Sequence, residues 1–446
     1  MNNPSICNAL CFFIIRPRVA KVLDLFFPQK EDSNRSLDYL IIAESILKRK
    51  VMIRVFYMLI LYVIVINMAV GQVNTIRIDP ENAKGAGVSQ LFDSVEYIPL
   101  ENSPESEFGR VDKLFVTSDF FYILDHSTDA IYLFKKNGQF FNKVELVHWI
   151  KTPNRQELGI RDFMVNELTG NLIVSHWQKQ GNLYFFSPKG VLLKVLKHNS
   201  WLSYGNIDDS HYLVESMDDI KDTINNIFGS CIVTDSSFTL KKGFLKELHS
   251  DFNITAGSNL MHASNSKSAI YTRSFDYNAY VFGAEGLKET IKFIFPYSYS
   301  LPSDFLDSVY SHKRADYLSQ NRNVIYSISD IYRVQNLLLF DVNRRNPSRL
   351  HVPLLYDLRT KVCYDLGKIS PDSSNNFLPF LGDQTIRVLA ADTSSFYLSV
   401  PSYKLFKSFN DNKKRSNNYS QRMLKYFASQ TSRSNPVIVR IIPKRN

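Results

Sequence analysis

One phrase in this chain returns at a nearly fixed interval. An alternating apolar run ends in an aromatic residue, three turn residues and a glycine follow, and a second apolar run begins. Phe134-Lys135-Lys136-Asn137-Gly138 is the first copy, Phe186-Ser187-Pro188-Lys189-Gly190 the second and Phe282-Gly283-Ala284-Glu285-Gly286 the third. The glycines lie 52 and then 96 residues apart, the second interval being two steps of 48. A period of about 40–50 residues built from strands and turns marks a β-propeller, one blade per repeat. With 32 Phe and 24 Tyr against 3 Trp, the aromatic content suits half-buried pleated strands.

Taking the period along the chain gives an all-β fold over residues 72–446. Blades are expected at 111–147, 160–197, 203–247, 257–296 and about 323–369. The third uses a turn without glycine, Asp235-Ser236-Ser237. A sixth blade starts at 386–390 and 396–400, breaks into a polar, basic stretch, and resumes at 436–442. Its missing outer strand must come from the front of the chain, with 95–100 and 73–78 as the two candidates. Closing the ring with strands from both ends prevents a terminal blade from peeling away. Short helical insertions are expected near 303–321, where Ser303 offers an N-cap, and near 416–429.

Ahead of the propeller, residues 55–66 are twelve in a row without charge, preceded by Arg54 and followed by Ala69-Val70-Gly71. Basic flank, short apolar core and small residues before a cut between Gly71 and Gln72 describe a signal peptide over 52–71. The run is short for a bilayer span of about 20 residues, although an uncleaved membrane anchor is the alternative. Signal peptides open their chains, so Met52 is the expected true start and residues 1–51 a doubtful extension. Cys7 and Cys11 fall in that extension and have no partner pair for a metal site. Cys231 and Cys363 belong to different blades and read as single thiols, although export would permit a disulfide.

The formal charge of +10 is unevenly spread. Residues 401–446 carry eleven Lys/Arg and one acid, Asp411, whereas 72–400 are slightly acidic overall. A nucleic-acid platform would need the positive charge on the folded body, so nucleic acid is not an expected partner. The cluster Lys413-Lys414-Arg415 reads first as a solvated face, next as a contact for acidic glycans or lipid head groups, and third as a contact for an acidic protein.

Local motifs of chemistry are absent: the sequence holds no H-E-x-x-H, G-x-S-x-G, phosphate-binding loop or paired C-x-x-C. Asp119, Asp125 and Asp129 lack calcium-loop spacing and read as turn residues. His148-Trp149 and His176-Trp177 echo one another in successive blades, a pattern that fits inter-blade packing better than a sugar site. At the expected inner strands, Asp112 and Asp162 take similar places, with Lys113 and Arg161 beside them to compete with a cation. No catalytic, cofactor-binding or metal residue is assigned.

The stretches Phe92–Glu101, Phe108–Leu114, Tyr122–Asp125 and Ile131–Gly138, with Ser434-Asn435-Pro436-Val437-Ile438-Val439 near the end, resemble an exported six-bladed β-propeller family of Gram-negative bacteria, several members of which were long known only as domains of unknown function. The resemblance implies the fold and export. One departure is Thr152–Leu158, where relatives carry a glycine-rich loop. The expected function is an exported, non-enzymatic binding module in the periplasm or on the cell surface. Its glycan, small-molecule or envelope-protein partner would sit at a mouth of the central channel. Membrane contact would come only through an uncleaved 52–71. The alternative is a metal-dependent hydrolase or lyase using channel carboxylates.

Overall fold

The structure, a computed structural model, describes residues 52–54, 72–149, 159–176, 182–197, 201–223, 227–245, 258–262, 266–381, 388–413 and 418–444. The chain divides into two compact units, Met1–Val70 and Gly71–Asn446. In the second, the described strands form six sheets, the blades of a six-bladed propeller. Blade 1 is Lys113–Val116, Phe120–Asp125, Ala130–Lys135 and Phe140–Glu145. Blade 2 is Ile160–Val165, Leu172–His176, Asn182–Phe186 and Leu192–Lys197. Blade 3 is Trp201–Asn206, His211–Asp222, Ile227–Asp235 and Leu240–Phe244. Blades 4 and 5 have the same meander in Ser258–His262, Ala269–Arg273, Asn278–Gly283, Gly286–Ile294 and in Ser327–Val334, Leu337–Asn343, His351–Asp357, Cys363–Ser370. Blade 6 joins Ala390–Ala391, Phe396–Val400 and Val437–Pro443 to Phe92–Ile98.

The recurring phrase is the turn between the third and fourth strands of a blade, and it recurs because that turn needs a left-handed residue. Gly138 (φ +85°), Gly190 (φ +74°) and Gly286 (φ +119°) supply it. In each of these blades the pairing register also shifts beside the phrase's aromatic residue, at Phe134, Phe186 and Phe282. A bulge of this kind raises the local twist. Where glycine is missing another residue carries the strain. In blade 3 Phe238 takes φ +63°, held by its stack on Tyr212 at 4.9 Å. In blade 5 the exposed Lys361 takes φ +60°, with no comparable packing. Lys361→Gly should therefore stabilise the fold by about 1 kcal/mol, read as a higher denaturation midpoint; an unchanged or lower midpoint would refute this account of the turn.

Between neighbouring blades lie the apolar cores. Leu124, Leu133, Phe163, Val174 and Phe186 fill the space between blades 1 and 2, and Ile291, Phe293, Ile328, Phe340 and Leu354 that between blades 4 and 5.

The N-terminal stretch of this unit binds three successive blades. Gln72–Arg77 adds to blade 4 as a fifth strand parallel to Gly286–Ile294, and Lys84–Gly87 does the same on blade 5 beside Cys363–Ser370. Phe92–Ile98 then pairs antiparallel with Val437–Pro443 and closes the ring. Of the two candidate closing strands, the later is the one used. The earlier, 73–78, braces blade 4 instead, because only 92–98 lies next in sequence to blade 1. Glu81 pins the stretch through both Arg344 and Arg349, the second at 2.7 Å, and Arg349 reaches on to Asp365 at 2.9 Å.

Two helical expectations shift. Ser303 caps nothing; the α-helix of that insertion is Arg314–Gln320, preceded by the short turn Ser308–Tyr310. Near 416–429 the helix is Gln421–Ser429, capped by the Ser420 side chain accepting from the Met423 N–H at 3.3 Å. A further helix, Ser402–Asp411, stands where only a polar stretch was expected. Its apolar side is real but sparse in sequence: Leu405 is buried, and Phe406 and Phe409 meet Phe427 of the second helix at 5.3 and 4.0 Å.

Strand direction alternates within a blade, so all inner strands begin on one face of the ring. On that face lie the connections between blades and those between second and third strands. Both helical insertions and the segments 99–112 and 371–389 are such connections, whereas those of the opposite face are tight turns wherever they are described. Gln72 pairs opposite Glu289, close to the Gly283–Gly286 turn, so the chain enters the propeller near the opposite face.

Candidate functional site

A cavity of about 260 Å³ runs along the propeller axis, lined by the inner strands of all six blades. Its apolar wall includes Leu114, Met164, Leu260, Met261 and Val388, and its polar groups include Asp112, Lys113, Asp162, Ser203 and Asp330.

The polar groups are engaged with one another across the blades. Lys113 Nζ lies 2.6 Å from Asp162 Oδ1, tying blade 1 to blade 2, and 5.4 Å from the Phe163 ring. Asp112 faces Arg110 Nε at 2.6 Å and His126 Nδ1 at 3.3 Å, and accepts the His126 backbone N–H at 2.8 Å. Ser203 Oγ donates to Glu215 Oε2 at 2.9 Å, and the Tyr271 hydroxyl donates to the other oxygen at 2.7 Å. Burial and the Glu215 charge together push the Tyr271 phenol far above its usual range, which keeps it a donor. Asp330 sits at φ +50° in a break of register and accepts from Ser329 Oγ at 3.1 Å.

Asp112 and Asp162, matched by their place in the repeat, do meet in this cavity. Lys113 competes for Asp162 as its position suggests, and Asp112 is met by Arg110 and His126. Asp330 was invisible in sequence, because its place depends on a bulge that no spacing announces. Ser203 and Glu215 were likewise unmarked, being a polar pair on adjacent strands. Among the described residues, no group of three or more His, Cys, Asp or Glu side chains is placed to hold a metal ion.

The other marked residues lie apart. Trp149 is half-exposed with its ring edge on Phe186 at 6.0 Å, and Trp177 lies outside the described residues. His176 is buried beside Tyr184, and that burial lowers its pKa. Neither Trp149 nor His176 lines the cavity. Asp125 works as a turn residue, accepting from the Gly109 N–H at 3.0 Å and from Ser127, and Asp129 accepts from the Ile160 N–H at 2.9 Å. Cys231 and Cys363 are free thiols, raised by burial, Cys363 to about 12. Thr152–Leu158, Gly71 and the apolar run 55–66 lie outside the described residues. No helix among the described residues is long and apolar enough to cross a membrane.

At the rim of the same face, Asp372 ties two segments together. It accepts from the Ser89 N–H at 2.8 Å, the Ser374 N–H at 2.9 Å and Ser374 Oγ at 2.6 Å. Burial pushes its carboxyl up, but these hydrogen bonds outweigh burial and hold it at about 2. A carboxyl lower in the folded than in the unfolded chain stabilises above about pH 4, and that contribution is lost as pH falls towards 2. Asp372→Asn should flatten this part of the stability profile between pH 4 and 2; an unaltered acid limb would place the acid sensitivity elsewhere.

A family profile described as "Domain of unknown function (DUF4934)" matches residues 73–441. No curated protein matches the chain. Among solved structures, a candidate exported protein from Bacteroides fragilis superposes with a TM-score of 0.61 at 14% identity, covering 84% of this chain and all of that one. A member of the DUF4221 family from Bacteroides vulgatus matches with a TM-score of 0.41 at 11% identity, covering 79% of this chain and 98% of that one. At 14% identity the likeness to the Bacteroides fragilis protein speaks for the fold, in agreement with the six sheets described above. The profile match spans all six blades and the strand that closes them, and the chain therefore belongs to the DUF4934 family.

Proposed function

We propose that this is an exported binding module whose ligand or partner engages the channel mouth on the face that gathers the long connections. One observation carries the reading: the two carboxylates matched by the repeat are already balanced by cations of the same chain, Asp162 by Lys113 and Asp112 by Arg110. Such a site presents fixed hydrogen-bonding groups rather than a set of ionised ligands waiting for a cation, which suits recognition better than metal-assisted hydrolysis. The rival hydrolase or lyase would have to break these ion pairs before Asp112 and Asp162 could ligate. Export is supported by the basic flank, apolar run and Ala69-Val70-Gly71 ahead of Gln72, with the periplasm or cell surface as destination.

The test is site-specific photocrosslinking in the native host, with the probe at Arg110 or His126 on the mouth and at Asn137 or Leu168 on the opposite face. Adducts confined to the mouth positions are expected. Adducts equal on both faces, or none at the mouth, would remove the reading. In parallel, chelation should leave the unfolding temperature unchanged. A fall restored by one divalent ion per chain would favour the rival enzyme.

A further inference from the structure

We propose a second binding site, separate from the channel mouth and independent of that reading, for an acidic oligosaccharide. It is an open groove of about 510 Å³ between the helix Ser402–Asp411 and the segment 371–379. One wall is Pro371, Phe377 and Pro379; the other carries Lys404, Lys407 and Asp411. The wall is held in place from the helix. The Phe377 carbonyl accepts from Ser408 Oγ at 3.0 Å and from Asn412 Nδ2 at 3.4 Å, and its N–H donates to the Asp372 carbonyl at 2.8 Å. The groove therefore stands ready without rearrangement, which lowers the entropic cost of binding.

Charge selects the ligand. Residues 401–436 hold eight Lys/Arg and one acid, Asp411. Lys407, Lys413, Arg422, Lys425 and Arg433 are exposed and make no ion pair with a described residue. Two lysines against one acid on the groove wall, in a stretch with this excess of positive charge, attract an anion and accelerate its capture.

Shape decides among anions. The groove offers no open sheet edge for an added peptide strand. Phe406 and Phe409 pack on Phe427 of the second helix, so these rings leave no apolar slot for a docked helix. A membrane surface fits poorly too, since the chain enters the propeller near the opposite face and only Tyr403 and Leu424 stand out as large exposed apolar side chains on these helices. Flat proline and phenylalanine surfaces facing lysines suit a pyranose ring, which has an apolar C–H face and, in a uronate, a carboxylate at its edge.

The experiment is calorimetric titration of the purified exported protein with oligogalacturonate of four to six units. Neutral galacto-oligosaccharide of equal length, poly-glutamate and phosphatidylglycerol vesicles serve as comparisons. Oligogalacturonate alone should bind, with affinity falling steeply as salt rises. Lys404→Gln and Lys407→Gln should each weaken it about fivefold, Asp411→Asn should strengthen it, and Arg110→Gln at the channel mouth should leave it unchanged. Phe377→Ala, whose folding is checked by circular dichroism, should weaken the carboxylated sugar at high salt as well as low. Absence of binding, equal binding of the neutral sugar, preference for the peptide or the vesicles, or affinity indifferent to Lys404 and Lys407 would each overturn the assignment.

Discussion

Replacing Asn435 by leucine should cost about 4 kcal/mol of folding stability, read from chemical denaturation. Asn435 is buried at the start of the last strand of blade 6 and uses its amide completely. Its Nδ2 donates to the carbonyls of Glu101 and Ser106, each at 2.8 Å, and its Oδ1 accepts the Phe108 N–H at 2.9 Å. Its own N–H donates to Asn102 Oδ1 at 2.8 Å. The Asn435 carbonyl accepts from Ser402 Oγ, which in turn accepts from the Tyr426 hydroxyl at 2.7 Å. One side chain thus fastens the blade 6 to blade 1 crossover, and its backbone ties that knot to both helices. Leucine of similar size would leave buried donors and acceptors unmade, each costing about 1–3 kcal/mol. A loss below about 1 kcal/mol would show that Asn435 is not the closure knot.

Shortening the N-terminal stretch should separate bracing from closure. A chain starting at Val88 loses both fifth strands but keeps Phe92–Ile98. It should still unfold in one cooperative step, at a lower midpoint. A chain starting at Pro99 also loses the closing strand and should show no cooperative transition. Ile438, Val439 and Ile441 lose their cross-strand neighbours Ile98, Tyr97 and Val95, and Phe92, Tyr97 and Ile98 disappear from the core. At about 1.5–3 kcal/mol for each buried apolar side chain removed, the loss is comparable to the 5–15 kcal/mol that holds a typical domain. A peptide of residues 72–98 supplied separately should restore part of the transition. Cooperative folding of the Pro99 chain alone would show that the ring holds without its closing strand.

Much of this architecture was legible because a propeller repeats one local problem. In blades 1 to 5 the turn before the outer strand needs a left-handed residue, and Gly138, Gly190 and Gly286 announce it in sequence. Phe238 and Lys361 solve the same problem without glycine, so blade 3 was marked by its strands and an Asp-Ser-Ser turn, and blade 5 by its strands alone. The fifth strands were not legible: Gln72–Arg77 has the pattern of any edge strand, and nothing local tells whether it closes a ring or braces a blade. The helix Ser402–Asp411 escaped notice because its Lys, Ser and Asn residues read as loop while three apolar positions do the packing.

The channel shows the same division. Asp112 and Asp162 were found because blades align by period, and position in the period decides which residues face the axis. Asp330 and the Ser203–Glu215–Tyr271 chain depend on a bulge and on cross-strand contact, which period alone does not encode. The groove beside Ser402–Asp411 joins segments some thirty residues apart through one carbonyl, and no linear pattern records that.

The path of residues 72–98 also sets a timetable. Within the propeller these residues are made first, yet their partners in blades 4, 5 and 6 are made late, the last of them at Val437–Pro443. Until then the leading segment lacks the strands it pairs with in the finished ring. Long-range pairing of this kind is slow to form and cannot be anticipated by local structure. The ring is therefore sealed only after the last strand of the propeller is available, so a chain that has not yet been released in full is still an open polymer.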